Sequence, residues 1–166
     1  TEHVGYGPSG RNGGFLETYW CALPRLRSRL GDEAALVLAR ASEGVIPAVE
    51  ALGEDVWLRR GGMLEVSTTP AQDAALEEAI RVAAELSVPE RVFAVEPGIS
   101  PVFRRGVRLP DAATVQPARL VRALRRAAVG AGVTLHERSR VTSVRPGEVA
   151  TARGRVRTGE IVVAAN

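Results

Sequence analysis

The sequence predicts a mixed α/β fold, on three observations. Stretches with apolar residues at helical spacing alternate with short runs of β-branched residues. A glycine-rich segment opens the chain. The apolar run Ile161-Val162-Val163-Ala164-Ala165-Asn166 closes it with the pattern of a buried strand. With 166 residues, 45% of them apolar, there is enough chain for one ordinary domain and a sizeable core.

Taken in order, residues 1–14 are expected to be a loop with at most a strand remnant at the start. A helical pattern then runs from Gly14 to about Ser28. A second helix is expected from Asp32, as its N-cap, to Leu52, with Ala34, Leu38, Ala41, Val45 and Val49 on its apolar stripe and Gly53 as its stop. Residues 56–67 change period and read as strand, glycine break at Gly61-Gly62, and strand. Thr69-Pro70 opens another helix, with Leu76, Ile80, Ala83 and Ala84 inward, ending near Ser87-Val88-Pro89. Arg91 to Pro110 is rich in proline, glycine and β-branched residues, so short strands and loops are expected.

Thr114-Val115-Gln116 reads as a short strand, and Pro117 starts a helix through Leu120, Val121 and Leu124 that closes at Gly130 or Gly132. Val133 to His136 and Arg140 to Val144 alternate as strands. Glu148 to Ala152 and Val156-Arg157 form a hairpin around Arg153-Gly154. A buried parallel strand needs neighbours on either side. The closing run, and an opening on Thr1, therefore lead one to expect that both ends are cuts through a larger fold.

Composition excludes several classes. No apolar run approaches the roughly 20 residues that span a bilayer, and no signal-peptide pattern opens the chain, so a cytoplasmic location is expected. All 22 basic residues are arginine, and the net charge is only +3. Arg122, Arg125 and Arg126 cluster without interleaved aromatics, which describes a solvated helix face and not a nucleic-acid surface. The single Cys21 cannot form an internal disulfide and reads as a small buried thiol. With only His3 and His136 elsewhere, no metal site is expected.

Gly5-Tyr6-Gly7-Pro8-Ser9-Gly10 spells G-x-G-x-x-G. A dinucleotide fingerprint needs a strand before it, a helix at the loop, and an acidic residue about 20 positions on at the end of a second strand. Only four residues precede Gly5, and Asp32-Glu33 begin a helix. An NAD-binding protein using this loop directly stays as one alternative. A non-catalytic α/β interaction module, burying exposed strand edges against a partner or a second copy, is another.

The longer stretch His3-Val4-Gly5-Tyr6-Gly7-Pro8-Ser9-Gly10-Arg11-Asn12-Gly13-Gly14-Phe15 resembles the loop after the second strand in the D-amino-acid oxidase-like FAD-dependent oxidoreductases, most of all the γ-glutamylputrescine oxidase type. Arg59 to Val66 resembles the first strands of that family's substrate region, and Leu109 to Val121 the return into its flavin domain. Gly132 to Glu137 and Val141 resemble the strands flanking the adenine, and Ile161 to Asn166 the strand before the next flavin-contacting loop. The resemblance implies a partial FAD-binding Rossmann-like domain, residues 1–54 and 112–166, with an inserted substrate-domain segment of β-strands and a helix, residues 55–111. The family's own G-x-G-x-x-G unit would lie roughly 30 residues before Thr1. That unit, the acidic residue that clasps the ribose, and the C-terminal half are all outside this sequence. A middle section is expected, dependent on the rest of the parent polypeptide and inactive alone.

With FAD as cofactor, the resemblance implies contacts from Ser9, Gly10, Arg11, Asn12, Gly13 and Gly14. Gly13-Gly14 would lead into a helix whose first amides face the pyrophosphate or flavin. Val141 would line the adenine pocket through its backbone, and Ala164 and Ala165 would pass beneath the cofactor. The implied activity is oxidation of the C–N bond of a small-molecule amine or amino acid, with hydride passing to flavin. No catalytic base is assigned, and His136 reads as structural. Arg59, Arg60, Arg104 and Arg105 are either carboxylate-binding candidates or plain surface arginines.

Overall fold

In the computed structural model, which describes residues 2–164, those residues form three small antiparallel sheets and five α-helices. The glycine-rich start makes a 3-10 turn at Pro8–Gly10 and then passes directly into strand β1, Phe15–Glu17. The helix expected from Gly14 is thus displaced, and α1 begins only at Leu23 and runs to Leu30. The cause is tertiary. Residues 15–17 find a ladder on residues 112–114, and that pairing overrides a helical spacing of apolar residues.

Helices α2 (Asp32–Ala41) and α3 (Val45–Glu50) replace the single helix expected over 32–52. Pro47 has no amide to give the carbonyl one turn back, and a 3-10 turn at Ser42–Gly44 takes up the break. The cap of α2 is Gly31, and Asp32 instead holds Arg27 at 2.8 Å. Strands β2 (Arg59–Arg60) and β3 (Met63–Ser67) flank Gly61-Gly62 as expected. Helix α4 (Pro70–Glu85) opens on a capping box. The Thr69 hydroxyl accepts the Gln72 amide, and the Gln72 side chain accepts the Thr69 amide at 3.2 Å.

Strands β4 (Phe93–Val95), β5 (Arg105–Leu109) and β6 (Ala112–Thr114) follow, the last starting two residues earlier than expected. Helix α5 (Pro117–Gly130) starts where Pro117 predicts, with the Gln116 side chain accepting the Arg119 amide at 2.7 Å. Strands β7 (Val141–Arg145), β8 (Glu148–Thr151) and β9 (Gly154–Arg157) make a meander. The sheet orders are β1-β6-β2, β3-β5-β4 and β7-β8-β9. The first sheet draws one strand from each of the segments 1–54, 55–111 and 112–166.

Neither 133–136 nor 161–164 is a strand. Both have the apolar pattern, but neither has a ladder partner among the described residues, and a strand exists only by pairing. Val162 and Val163 are accordingly 89% and 74% exposed.

Two cores hold the rest. The larger joins α1, α2 and α4 to the β3-β5-β4 sheet through Trp20, Leu23, Ala35, Leu76, Val82 and Val107. Its Trp20 is 1% exposed, and the indole N–H donates to Glu43 at 3.0 Å, the partner that a buried indole requires. The smaller packs Val49, Val56, Val115 and Ala123 with Leu16 and Leu120 against the first sheet.

Candidate functional site

The glycine-rich loop is tied to itself. The Tyr6 amide donates to the His3 carbonyl, the Gly10 amide to Gly7 and the Arg11 amide to Pro8, at 3.1, 3.2 and 3.0 Å. Asn12 donates through Nδ2 to the carbonyls of Pro8 and Ser9, and its Oδ1 accepts the Gly14 amide at 2.8 Å. Both amide hydrogens of Asn12 are therefore engaged within the loop. Two glycines are demanded by close approach. A Cβ on Gly10 would fall 2.1 Å from the Gly5 carbonyl oxygen, and one on Gly14, at φ +73°, would fall 2.0 Å from that of Val115. Gly7 differs, because a Cβ there would meet nothing within 4 Å.

Beside Gly7 lies a cleft of about 440 Å³, lined by His3, Gly7, Ser9, His136, Glu137 and Ala164 among others. Residues 135–137 reach it because the Glu137 carboxylate accepts the Val4 amide at 3.0 Å and pairs with Arg125 at 3.3 Å. The Arg138 amide also donates to the Glu2 carbonyl at 3.1 Å. The Val4 hydrogen bond first, and Arg125 second, hold the Glu137 carboxyl below the usual carboxylate range.

Of the expected site residues, Ser9 and Ala164 line this cleft, and Gly10 does not line it but packs against Gly5, which does. Arg11 lies with its guanidinium 5.0 Å over the Tyr6 ring. Arg11, Asn12, Gly13 and Gly14 carry the chain from the cleft to the first sheet and do not line it. Gly13-Gly14 enter a strand, so the helix N-terminus expected there is absent, for the pairing reason given above. Val141 is half exposed on β7, away from the cleft lining, and Ala165 is outside the described residues. As a dinucleotide fingerprint, Gly5–Gly10 has neither a strand before it nor an α-helix after it among the described residues. Asp32 and Glu33 do begin α2.

A larger cleft, about 620 Å³, lies between α4 and the β4 and β5 strands, a feature that the sequence reading missed. At its end Asp73 accepts the Ser67 hydroxyl at 2.5 Å and Arg104 Nε and Nη2 at 3.0 and 2.8 Å. Arg104 first, then Ser67, push the Asp73 carboxyl below its ordinary range. Arg105 pairs with Glu77 at 3.0 Å. The available signal was an acid, Asp73, three positions before Leu76 on the apolar stripe of α4.

The outer face of the first sheet holds a third feature. In register, Phe15 stands opposite Thr114, and Thr114 opposite Arg59. A cleft of about 270 Å³ is lined by Trp57, Arg59, Thr114, Val115, Gln116 and Pro117. Trp57 has φ +57°, rare for a bulky side chain, and Arg119 lies 4.5 Å over its ring. Nearby, burial first and Glu17 second raise the pKa of Glu65. Burial, then Glu17 and Glu65, also push the Cys21 thiol up. Among the described residues no group of side chains could hold a metal ion, and no helix is long and apolar enough to cross a membrane.

The family model described as FAD dependent oxidoreductase matches residues 1–166. No curated protein matches the chain. Among solved structures, the chain is similar to glycine oxidase from Geobacillus kaustophilus, with a TM-score of 0.70 and 23% identity, over 93% of this chain and 44% of that one. It is similar to glycine oxidase from Bacillus cereus ATCC 14579, with a TM-score of 0.72 and 18% identity, over 98% and 47%. It also resembles L-amino acid deaminase from Proteus myxofaciens, with a TM-score of 0.60 and 18% identity, over 91% and 35%. The chain thus spans less than half the length of the structures it matches.

Proposed function

Because this chain belongs to the family of FAD-dependent oxidoreductases, we propose that the protein it comes from oxidises the C–N bond of a small amine or amino acid. The observation that carries the site is the meeting of the glycine loop with residues 135–137 and Ala164 at one cleft, three segments far apart in sequence. The donor set suits a polar dinucleotide. Ser9 offers a hydroxyl, His3 and His136 offer imidazoles, and Gly7 leaves its backbone open to close approach.

Bound FAD supplies a two-electron acceptor for the hydride that leaves the amine-bearing carbon. The chain's own part is to bind and orient. Ser9, Gly7 and Ala164 would hold the cofactor, Gly10 and Asn12 would keep the loop in shape, and Arg11 and Gly13-Gly14 would lead to the ring. Val141 and Ala165 belong to the same proposal as backbone contacts. So does the division into flavin-domain segments 1–54 and 112–166 with substrate-domain segment 55–111. Glycine oxidase and L-amino acid deaminase act on amino acids by their names, which supports an amino-acid or amine substrate here. The γ-glutamylputrescine type is the finer proposal, resting on Arg11-Asn12-Gly13-Gly14. A cytoplasmic location, checked by fractionation, completes it.

The test is the full-length protein purified with FAD and assayed for ammonia release from a panel of amino acids and amines. A yellow protein that turns over at least one of them is expected. Gly7→Val should weaken FAD binding at least about tenfold by filling the cleft. A colourless protein that takes up no added FAD would overturn the assignment, as would a yellow one idle on every C–N substrate.

A further inference from the structure

We infer that the cleft between α4 and the β4 and β5 strands binds an organic cation with an apolar body, with Glu96 as its counter-ion. This is a second ligand site, which shares no lining residue with the proposed flavin cleft. It stands whether or not the parent protein oxidises amines.

The cleft follows from where a small residue falls. Leu76 on α4 and Val107 on β5 belong to the larger core. Opposite Val107 in register is Ala94 on β4, an edge strand of its sheet among the described residues. A methyl group there leaves the space beside α4 unfilled, so Leu76, Ile80 and Val107 line an open cleft. Its volume of about 620 Å³ falls within the roughly 300 to 1,000 Å³ of small-molecule sites, which combine apolar walls with a few placed polar groups.

The charges are arranged so that one is left over. Strand side chains alternate between faces. The register of Ala94 on Val107 and Val95 on Gly106, carried one residue further, sets Glu96 against Arg105 on the face of Ala94. Arg105 turns instead to α4, where Glu77 takes it at 3.0 Å and Asp73 lies 3.8 Å away. Arg104 is held by Asp73 at 2.8 Å. Two acids and two arginines thus answer each other, and Glu96 has no basic partner among the described residues. An anion entering the cleft must displace a carboxylate from an arginine, whereas a cation displaces nothing. That asymmetry selects the cation.

The paired wall is built before any ligand arrives. The Ser67 hydroxyl donates to Asp73 at 2.5 Å and accepts the Arg105 amide at 3.1 Å, while its carbonyl accepts the Arg104 amide at 2.9 Å. Ser67 is fully buried and Asp73 is 8% exposed. A wall fixed in this way loses little freedom on binding.

The experiment titrates the full-length protein with n-hexylguanidinium by calorimetry, with n-propylguanidinium and hexanoate in parallel. A guanidinium offers a carboxylate a planar fork, and it has no basic lone pair with which to expel a hydride to flavin. Saturable one-to-one binding of hexylguanidinium is expected, about tenfold to fiftyfold tighter than propylguanidinium for three more buried methylenes. Hexanoate should bind at least about tenfold more weakly than hexylguanidinium. Glu96→Gln should weaken hexylguanidinium about tenfold, and Glu96→Asp less. Ala94→Phe, at an exposed strand position, should abolish binding by filling the cleft. Circular dichroism verifies that each variant is folded. Should Ala94→Phe fail to fold, Ala94→Arg, which offers Glu96 a cation from within, takes its place with the same expectation. No saturable binding, affinity indifferent to chain length, equal binding of hexanoate, or a loss with only one of the Ala94 and Glu96→Gln variants would overturn the inference.

Discussion

Around the β3-β5-β4 sheet, Asp73 takes Arg104, Glu77 takes Arg105 and Asp32 takes Arg27, while α1, α2 and α4 bury the sheet's inner side. Around the β1-β6-β2 sheet, Phe15 is 68% exposed, Arg59 has no acidic partner among the described residues, and Trp57 is held at positive φ. Both regions have clefts and arginines, and they differ at the arginines that line the clefts: Arg104 and Arg105 are paired, and Arg59 has no acidic partner among the described residues. The 620 Å³ cleft is lined by the paired Asp73, Glu77, Arg104 and Arg105 and also by Glu96, and the 270 Å³ cleft is lined by Arg59.

The contrast can be broken at its extremes. The largest effect is expected from Gly14→Ala, whose Cβ would lie 2.0 Å from the Val115 oxygen at a backbone φ of +73°. Overpacking together with a left-handed alanine should cost about 3 kcal/mol, measured by urea unfolding of the full-length protein. A loss under about 1 kcal/mol would mean that the junction of loop and sheet is slack.

Next comes Asp73→Asn. The folded-state pKa of Asp73 is depressed by Arg104 and Ser67. Its stabilisation is therefore present above the ordinary carboxylate pKa of about 4 and is lost as pH falls through the lower folded value. Thermal melts should show Asp73→Asn less stable than wild type at pH 7, with the gap closing below about pH 4. A pH-independent gap would deny that the pair neutralises this region.

Thr69→Ala removes half of the capping box on α4 and should cost about 1 kcal/mol without altering substrate kinetics. Glu65→Gln should have the smallest effect and the opposite sign. Burial and Glu17 raise the folded pKa of Glu65, so its contribution is complete below the ordinary value and is lost as pH rises through the folded one. The glutamine variant should be slightly more stable at pH 7 and indistinguishable at pH 4, as read by melting temperature.

Much of the fold was legible where the signal was local. Thr69-Pro70 and Gln116-Pro117 announced α4 and α5, and Gly61-Gly62 announced the break between β2 and β3. What failed was decided at a distance. Phe15–Glu17 became a strand because Ala112–Thr114 was there to pair with it, and 133–136 lacks a strand because nothing among the described residues pairs with it. The site divides in the same way. The glycine loop and Ala164 were visible as composition. The isolation of Arg59 depended on Glu50 choosing Arg60, which the dipeptide Arg59-Arg60 could not announce.

The sheet assembled from three segments also sets an order of events during synthesis. β6 is its central strand, and it pairs with residues as early as Phe15 through Thr114. At ribosomal speed, roughly 5 to 20 s separate the emergence of those two positions. Throughout that interval β1 and β2 have no ladder partner, and Phe15 and Trp57 stand near their open edges. A nascent chain stalled before residue 112 would present those edges to any passing strand. Protection by a holdase chaperone should therefore raise the yield of this protein most when translation is slowed between β2 and β6.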